Sequence, residues 1–261
     1  MPDYLMREAA PLGDETWAKI DEMVVTVVKK ALVGRRLLHL TGPLGWGVEQ
    51  VPLFGFEVGE TSAVAQVREY LALEELAQEF TLRAKHLAMA AQTPFGLDLG
   101  AVAIAATRLA RAEDDLIVRG MRAAAGSPLP LGDWDTIGGP FRAVADATAH
   151  LRASGFDAPF ALVMNPAAYA RLASLMTEGR RELDMVETLA QAGVFQLPEV
   201  PSLGDEVLVV SPAAWNLDLV VGQDIATAYT GNDGLDHCFR IFETVALRAK
   251  RPGAVVVLRH K

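Results

Sequence analysis

The chain has 261 residues, of which 51% are apolar and 22% charged, a balance that excludes a disordered segment and supplies a core for one large domain or two small ones. Its formal net charge of −9 argues against a nucleic-acid-binding surface, because neutralising phosphates takes a stripe of Lys and Arg. Here these residues are scattered, with nothing longer than short pairs such as Lys29-Lys30, Arg35-Arg36 and Arg180-Arg181.

The N-terminus, "MPDYLMREAAPLGDE", lacks a basic stretch followed by an apolar run, so it does not read as a secretory signal. A helix is predicted from about Asp14 to Val33, with Trp17, Ile20, Val24, Val27, Val28 and Ala31 on one face at three- and four-residue steps. Asp14 is the expected N-cap and Gly34 the expected left-handed C-cap. Lys29 and Lys30 in the last turn complement the helix dipole. Residues 33–60, "VGRRLLHLTGPLGWGVEQVPLFGFEVGE", then predict a strand at Leu37 to Leu40, a turn through Gly42-Pro43 and an extended apolar arm to about Thr61.

A second helical region is expected over Val64 to about Ala91, interrupted by Thr93-Pro94-Phe95-Gly96, and a long helix over Asp98 to Ala124. Leu99, Val102, Leu109, Leu116 and Ile117 form the apolar stripe of that helix, and Asp115 and Arg119 are spaced for a surface pair. The segment "LDLGAVAIAATRLARAEDD" is broken by Arg108 and Arg111 before the about 20 apolar residues that a bilayer demands. The connector "AGSPLPLGDWDTIGG" marks the clearest internal boundary. Beyond it a helix is predicted over Pro140 to Ala153, a buried strand over Phe160 to Met164, a helix started by Asn165-Pro166 and another near Leu183 to Gln191. Strands follow at Val207 to Val210, Leu217 to Val221, Ile225 to Tyr229, Cys238 to Leu247 and Ala254 to Leu258. Helices interleaved with strands without regular alternation give an α+β class. A single cysteine, Cys238, cannot close an internal disulfide, so a reducing compartment is expected.

No set of residues converges on a reaction. Neighbours in a strand point to opposite faces, so His237 does not activate the Cys238 thiol. The five histidines have neither the two-histidine spacing of a zinc protease nor the Glu-x-x-His of a di-iron bundle. Glu113 to Asp115, "EDD", read as a solvated helix face, since consecutive helix positions fan around the axis. There is no G-x-S-x-G, "GPLGWG" is not a dinucleotide fingerprint, and the connector is no P-loop. Trp46 and Trp134 read as packing or subunit-contact residues rather than a ring-ligand platform. What stands out is the arm: a ribbon of Val, Leu and Phe leaving a compact body, which needs a protein partner to cover it.

The residues "APLGDETWAKID", "GRRLLHLTGPLGWG", "FTLR", "RAEDDLIVRG", "LVMNPAAYARL", "VLVVS", "LDLVVGQDIATAY" and "FRIFET" occur in the order of their counterparts in the encapsulins. The sequence thus resembles, over essentially its whole length, these shell proteins of bacterial and archaeal nanocompartments. The resemblance implies a tailed-phage major-capsid-protein-like fold with a peripheral domain, an axial domain and an extended loop. Residues 1–46 would hold the N-terminal helix and first peripheral strand, 47–63 the extended loop, and 64–138 the peripheral domain with a spine helix. Residues 139–222 would form the axial domain, and 223–261 the returning peripheral strands.

The resemblance also implies a non-enzymatic function. About sixty copies, or a quasi-equivalent multiple, would close into an icosahedral shell. The shell would enclose a cargo enzyme, a ferritin-like iron oxidase or a dye-decolourising peroxidase, held by a C-terminal targeting peptide. Carried over by position, Val28, Leu32, Arg35, His39, Ile225 and Phe239 would line the cargo-peptide groove. Arg35 is the foremost of them, as a guanidinium at a helix end suits a peptide carbonyl or carboxylate. His39 stands where a relative has an acidic residue. Gln191, Ala192, Gly193 and Val194, in "LAQAGVFQLP", would line a narrow uncharged pore at the five-fold axis. Val51, Leu53, Phe54 and Phe56 would form the intersubunit arm. One family member holds a flavin against a tryptophan; "LRAKHLAMAA" here has none, so no cofactor is expected. Neither nucleic acid nor membrane is an expected partner, and the expected location is the cytoplasm. Two rival readings remain at this point, a prophage major capsid protein packaging DNA and a bacteriocin-like or hydrolytic protein.

Overall fold

The computed structural model describes residues 4–59, 61–177 and 179–260. Helix α1, Asp14–Ala31, buries Trp17, Ile20, Val24 and Val28, the face that the spacing predicts. Both of its ends differ from expectation. The N-cap is Gly13, without a side-chain bond, and Asp14 is the first helical residue, where its charge still favours the positive end of the dipole. Gly34 does not cap α1, which ends at an extended Leu32; it opens the short helix α2, Gly34–Leu37. Glycine suits the close approach there, since a Cβ would lie 2.2 Å from Ile117 Cδ1 and displace that side chain. Leu37 therefore belongs to α2, and the strand that follows, β1, is His39–Thr41. At Gly42, φ is +122° and an added Cβ would lie 2.2 Å from the Val221 carbonyl oxygen. Only glycine lets the chain turn so close to the neighbouring strand.

The arm is a two-stranded antiparallel hairpin, β2 (Gln50–Val58) with β3 (Ala63–Ala72). The register shifts between Leu53 and Phe54, leaving Arg68 as the extra residue of a bulge on β3. Strand β4, Glu74–Leu82, follows, and only Ala84–Gln92 is helical (α3). The helix expected over Val64 to Ala91 is thus mostly strand. The reason is an ambiguity of period: Leu76 and Phe80, four apart, share one face of a strand as readily as of a helix. Pairing of β4 along nine residues of a long partner strand outweighs the helix propensity of its Glu, Ala, Leu and Gln.

That partner is β13, Asp236–Ala249, the longest strand. Along one edge it pairs with β4; along the other it pairs first with β12, Ala226–Asp233, and then with β11, Leu217–Val221. Strand β1 joins β11 in parallel to complete this first sheet. Helix α4, Gly100–Ala124, packs on β13, β4 and α1. It buries Val102, Leu109, Leu116 and Ile117 of the predicted stripe, whereas Leu99 precedes the helix and is half-buried. Asp115 and Arg119 form the expected pair at 3.4 Å.

A second sheet has the order β5 (Leu129–Pro130), β14 (Val255–Arg259), β10 (Val207–Val210), β6 (Ala161–Met164), β9 (Gly193–Gln196). Strands β6 and β10 are buried at every residue, as expected of apolar runs covered on both faces. Helices α5 (Gly139–Ala153), α6 (Pro166–Ser174) and α7 (Glu182–Leu189) accompany this sheet. Asn165 caps α6 by accepting the Ala168 N–H at 2.7 Å. The Glu182 carboxylate, nearly fully buried, does the same for α5, accepting from Gly138 and Phe141 N–H at 2.8 and 2.9 Å. A short ladder of β7 (Met176–Thr177) with β8 (Arg180–Arg181) leads into α7.

Candidate functional site

The hairpin β2–β3 is divided along its length. At its root Val51 and Leu53 are 4% and 3% exposed, packed into the chain, while Phe54 and Phe56 beyond the bulge are 38% and 47% exposed. On β3, Val64, Val67 and Tyr70 are also largely in solvent. A hairpin with both strands unpaired on their outer edges and aromatic residues uncovered is unstable as a free surface. Its root is fixed to the body by Arg248 of β13, whose Nη1 donates to the Pro52 carbonyl at 3.3 Å. The same guanidinium holds the buried Asp218 of β11 through Nε (2.9 Å) and Nη2 (2.6 Å), with Lys250 Nζ at 2.8 Å and Thr41 Oγ1 at 2.8 Å completing the carboxylate's partners. Burial alone would raise the Asp218 pKa, but these donors overcome it and hold the carboxyl below its usual range. Between hairpin and body lies an open cleft of about 600 Å³, lined by Phe56, Arg68, His150, Phe156, Lys250 and Arg251 among others.

The residues assigned to a cargo-peptide groove do not share one surface. Val28 and Leu32 are buried at the end of α1, and Phe239 lies wholly inside, stacked on Phe80 at 5.1 Å and edge-on to Trp17 at 5.6 Å. His39 is exposed at the start of β1, and Ile225 is half-exposed. Arg35 links the two groups without being free. Its Nε donates to Glu113 at 2.8 Å, its Nη2 to Glu243 at 2.5 Å and its Nη1 to Asp224 at 2.8 Å. Burial opposes this charge, yet the bond and charge of Glu113, then Glu243 and Asp224, hold the guanidinium's pKa above its ordinary value.

Glu113 and Asp114 therefore correct the expectation of a solvated "EDD" face: both are 0% exposed, and Asp115 alone is partly solvated. Asp114 accepts the N–H groups of Gly34 (2.8 Å) and Val33 (3.2 Å), so α2 is seated on α4 by a carboxylate. Burial raises the Asp114 pKa to about 6 against the pull of those two N–H groups. Among the described residues no group of three His, Cys, Asp or Glu side chains is arranged to hold a metal ion. No helix among them is long and apolar enough to cross a membrane.

The residues assigned to a pore split between a turn and a strand. Gln191 is exposed in the turn after α7, Ala192 donates its N–H to the Phe160 carbonyl, and Gly193 and Val194 open β9, the edge strand beside β6. Gly193 has φ +117°, a conformation suited to glycine. Trp134 is packed inside, its Nε1 donating to the Leu131 carbonyl at 3.0 Å. Trp46 stacks on Tyr4 with ring centroids 4.6 Å apart.

A shape with two sheets, a long helix and a projecting hairpin is that of capsid proteins. The family model described as encapsulating protein for peroxidase matches residues 2–246. The chain belongs to the encapsulin shell-protein family. It is 34% identical to the type 1 encapsulin shell protein EncA of Myxococcus xanthus, over 99% of this chain and 97% of that one. It is 30% identical to a diheme-cytochrome-encapsulin shell fusion protein of Kuenenia stuttgartiensis, over 95% of this chain and 73% of that one. The virus-like particle from Pyrococcus furiosus shares the fold, with a TM-score of 0.81 at 23% identity over 94% of this chain and 100% of that one. The mature capsid of bacteriophage PhiM1 is more distant, with a TM-score of 0.57 at 10% identity over 88% and 87% of the two chains. Encapsulin relatives are named as shell proteins, so this chain's role is structural and not enzymatic. The prophage and hydrolase readings give way to it.

Proposed function

We propose that copies of this chain close into an icosahedral shell that encloses a cargo enzyme in the cytoplasm. The observation that carries this reading is the hairpin, whose outer half presents Phe54, Phe56, Val64 and Val67 to solvent in the isolated chain, with Tyr70 exposed nearer the root. Laid over a neighbouring copy, it buries that surface, and a closed point group repeats the contact without open-ended growth. In this reading residues 50–72, both strands of the hairpin, are the extended loop. The first sheet with α4 is the peripheral domain, and the second sheet with α5, α6 and α7 is the axial domain. Gln191, Ala192, Gly193 and Val194 then meet their symmetry mates at an uncharged aperture.

Cargo enters this proposal through its own C-terminal peptide. A peroxidase cargo fits the family description, a ferritin-like one is the second candidate, and of the six residues assigned to the groove His39 and Ile225 are the two most open to a peptide. Electron microscopy of the purified protein tests the central claim: uniform hollow particles are expected, and solitary molecules under all ionic conditions would overturn it.

A further inference from the structure

The Arg35 cluster contains more buried acid than base. One guanidinium, itself 16% exposed in its side chain, faces Glu113 and Glu243, both 0% exposed; Asp224, the third partner, is 54% exposed and has water. Two ionised buried carboxylates against one cation leave a negative charge with neither solvent nor counter-ion, an arrangement that costs several kcal/mol. Hydrogen bonding points the same way. Glu243 Oε2 accepts from Arg35, but Oε1 is buried and accepts from nothing. An ionised oxygen is not left so, whereas a protonated one becomes a donor. The neighbouring acid is Glu113, whose Oε2 shares Arg35 Nη2 with Glu243 Oε2 at 2.8 and 2.5 Å.

The charged groups facing Glu243 are Arg35 from α2, Glu113 from α4 and, around Arg35, Asp224 from the turn before β12. Asp114 adjoins Glu113 but is directed to the Val33 and Gly34 N–H groups, with Arg111 as its nearest cationic influence. Strand β4 brings only Leu76 opposite Glu243.

We propose that Glu113 and Glu243 hold one proton between them, and that this proton keeps α2 and the start of β1 seated on α4 and β13. Hydroxide removes it from Glu243 Oε1 as water; two adjacent carboxylates then repel, and Arg35 compensates only one. Burial first, and then the charge of Glu113, pushes the Glu243 pKa up to about 9. The folded chain therefore retains a proton that the unfolded chain, with a glutamate near 4.5, has already released. The resulting stabilisation is complete below the unfolded value and falls as pH rises, and it is gone above the folded one. The segment released in alkali carries Arg35 and His39. This inference does not depend on the shell reading.

Infrared difference spectroscopy of the intact protein tests it directly. A carboxylic C=O band is expected at about pH 8, well above the range of ordinary carboxyls, disappearing as the pH passes about 9 and absent in Glu243→Gln. Hydrogen exchange adds a second readout. Once corrected for intrinsic chemistry, protection of the α2 amides should fall by up to about tenfold per pH unit across the transition. The profile should be flat in Glu243→Gln and Glu113→Gln, and retained in Asp224→Asn. A wild-type protein lacking the band, or an alkaline step that survives in both glutamine variants, overturns the proposal. If those variants fail to fold, the band in the unaltered protein decides alone.

Discussion

Asp218 and Arg35 show how a single charge can be fixed by its surroundings. Asp218 is an anion with four donor groups from three side chains, so truncating it leaves Arg248 and Lys250 facing each other without compensation. Asp218→Ala should destabilise the subunit by about 3–5 kcal/mol, read as a lowered thermal or urea midpoint. Because its folded pKa is depressed, its contribution is full above the ordinary value of 3.8 and is lost as the pH falls through the folded value. Acid unfolding of the wild type below about pH 4 should therefore lose part of its steepness in Asp218→Asn. Arg35 is the opposite case, a cation with a surplus of acids. Arg35→Ala strands Glu113 and Glu243, so a loss of cargo in that variant would report on stability as much as on recognition. None of this was legible in the sequence. "EDD" has no periodicity that marks two of its three members as buried, and the partners of Arg35 lie 78, 189 and 208 residues away in the chain.

At the scale of elements, the apolar runs that became β6 and β10 declared themselves, because full burial demands an unbroken apolar run, and β11 was legible in spite of its one charged residue, Asp218. Helix α4 was legible from its three-four spacing, and α6 from Asn165-Pro166, a cap followed by a residue preset for the first turn. Strands β3 and β4 were not. Their composition favours a helix; β3 is decided by its pairing with the neighbouring β2, and β4 by an edge of β13 that lies about 165 residues on, beyond the reach of any local rule. The arm was recognised, but as a single extended limb ending near Thr61; its return strand was read as helix. Its two halves should respond differently to mutation. Phe54→Ser with Phe56→Ser should leave the circular dichroism of the dissociated subunit unchanged and abolish particles in electron micrographs. Leu53→Ser, at the packed root, should instead lower the thermal midpoint by a few kcal/mol equivalents, about 2–4. Equal effects from both changes would argue against the division of the hairpin.

For the whole molecule, the groove and the pore were named from resemblance, and their expected residues do not fall equally at the surface. Val28, Leu32 and Phe239 are core, whereas His39 is exposed and Ile225 half-exposed. If a cargo tail binds in this region, Ile225→Asp should reduce the amount of co-purifying cargo at least roughly tenfold while particle yield is kept, since a buried unpaired carboxylate costs more than one such factor. Undiminished loading would move the groove elsewhere.

One residue joins the limb to the trunk. Arg248 grips the Pro52 carbonyl with one nitrogen and the Asp218 carboxylate with the two others. Rotating the limb about its root thus tugs on a counter-ion that the trunk needs for its own integrity. A swing of the limb against the trunk would load that ion pair before any contact at the tip.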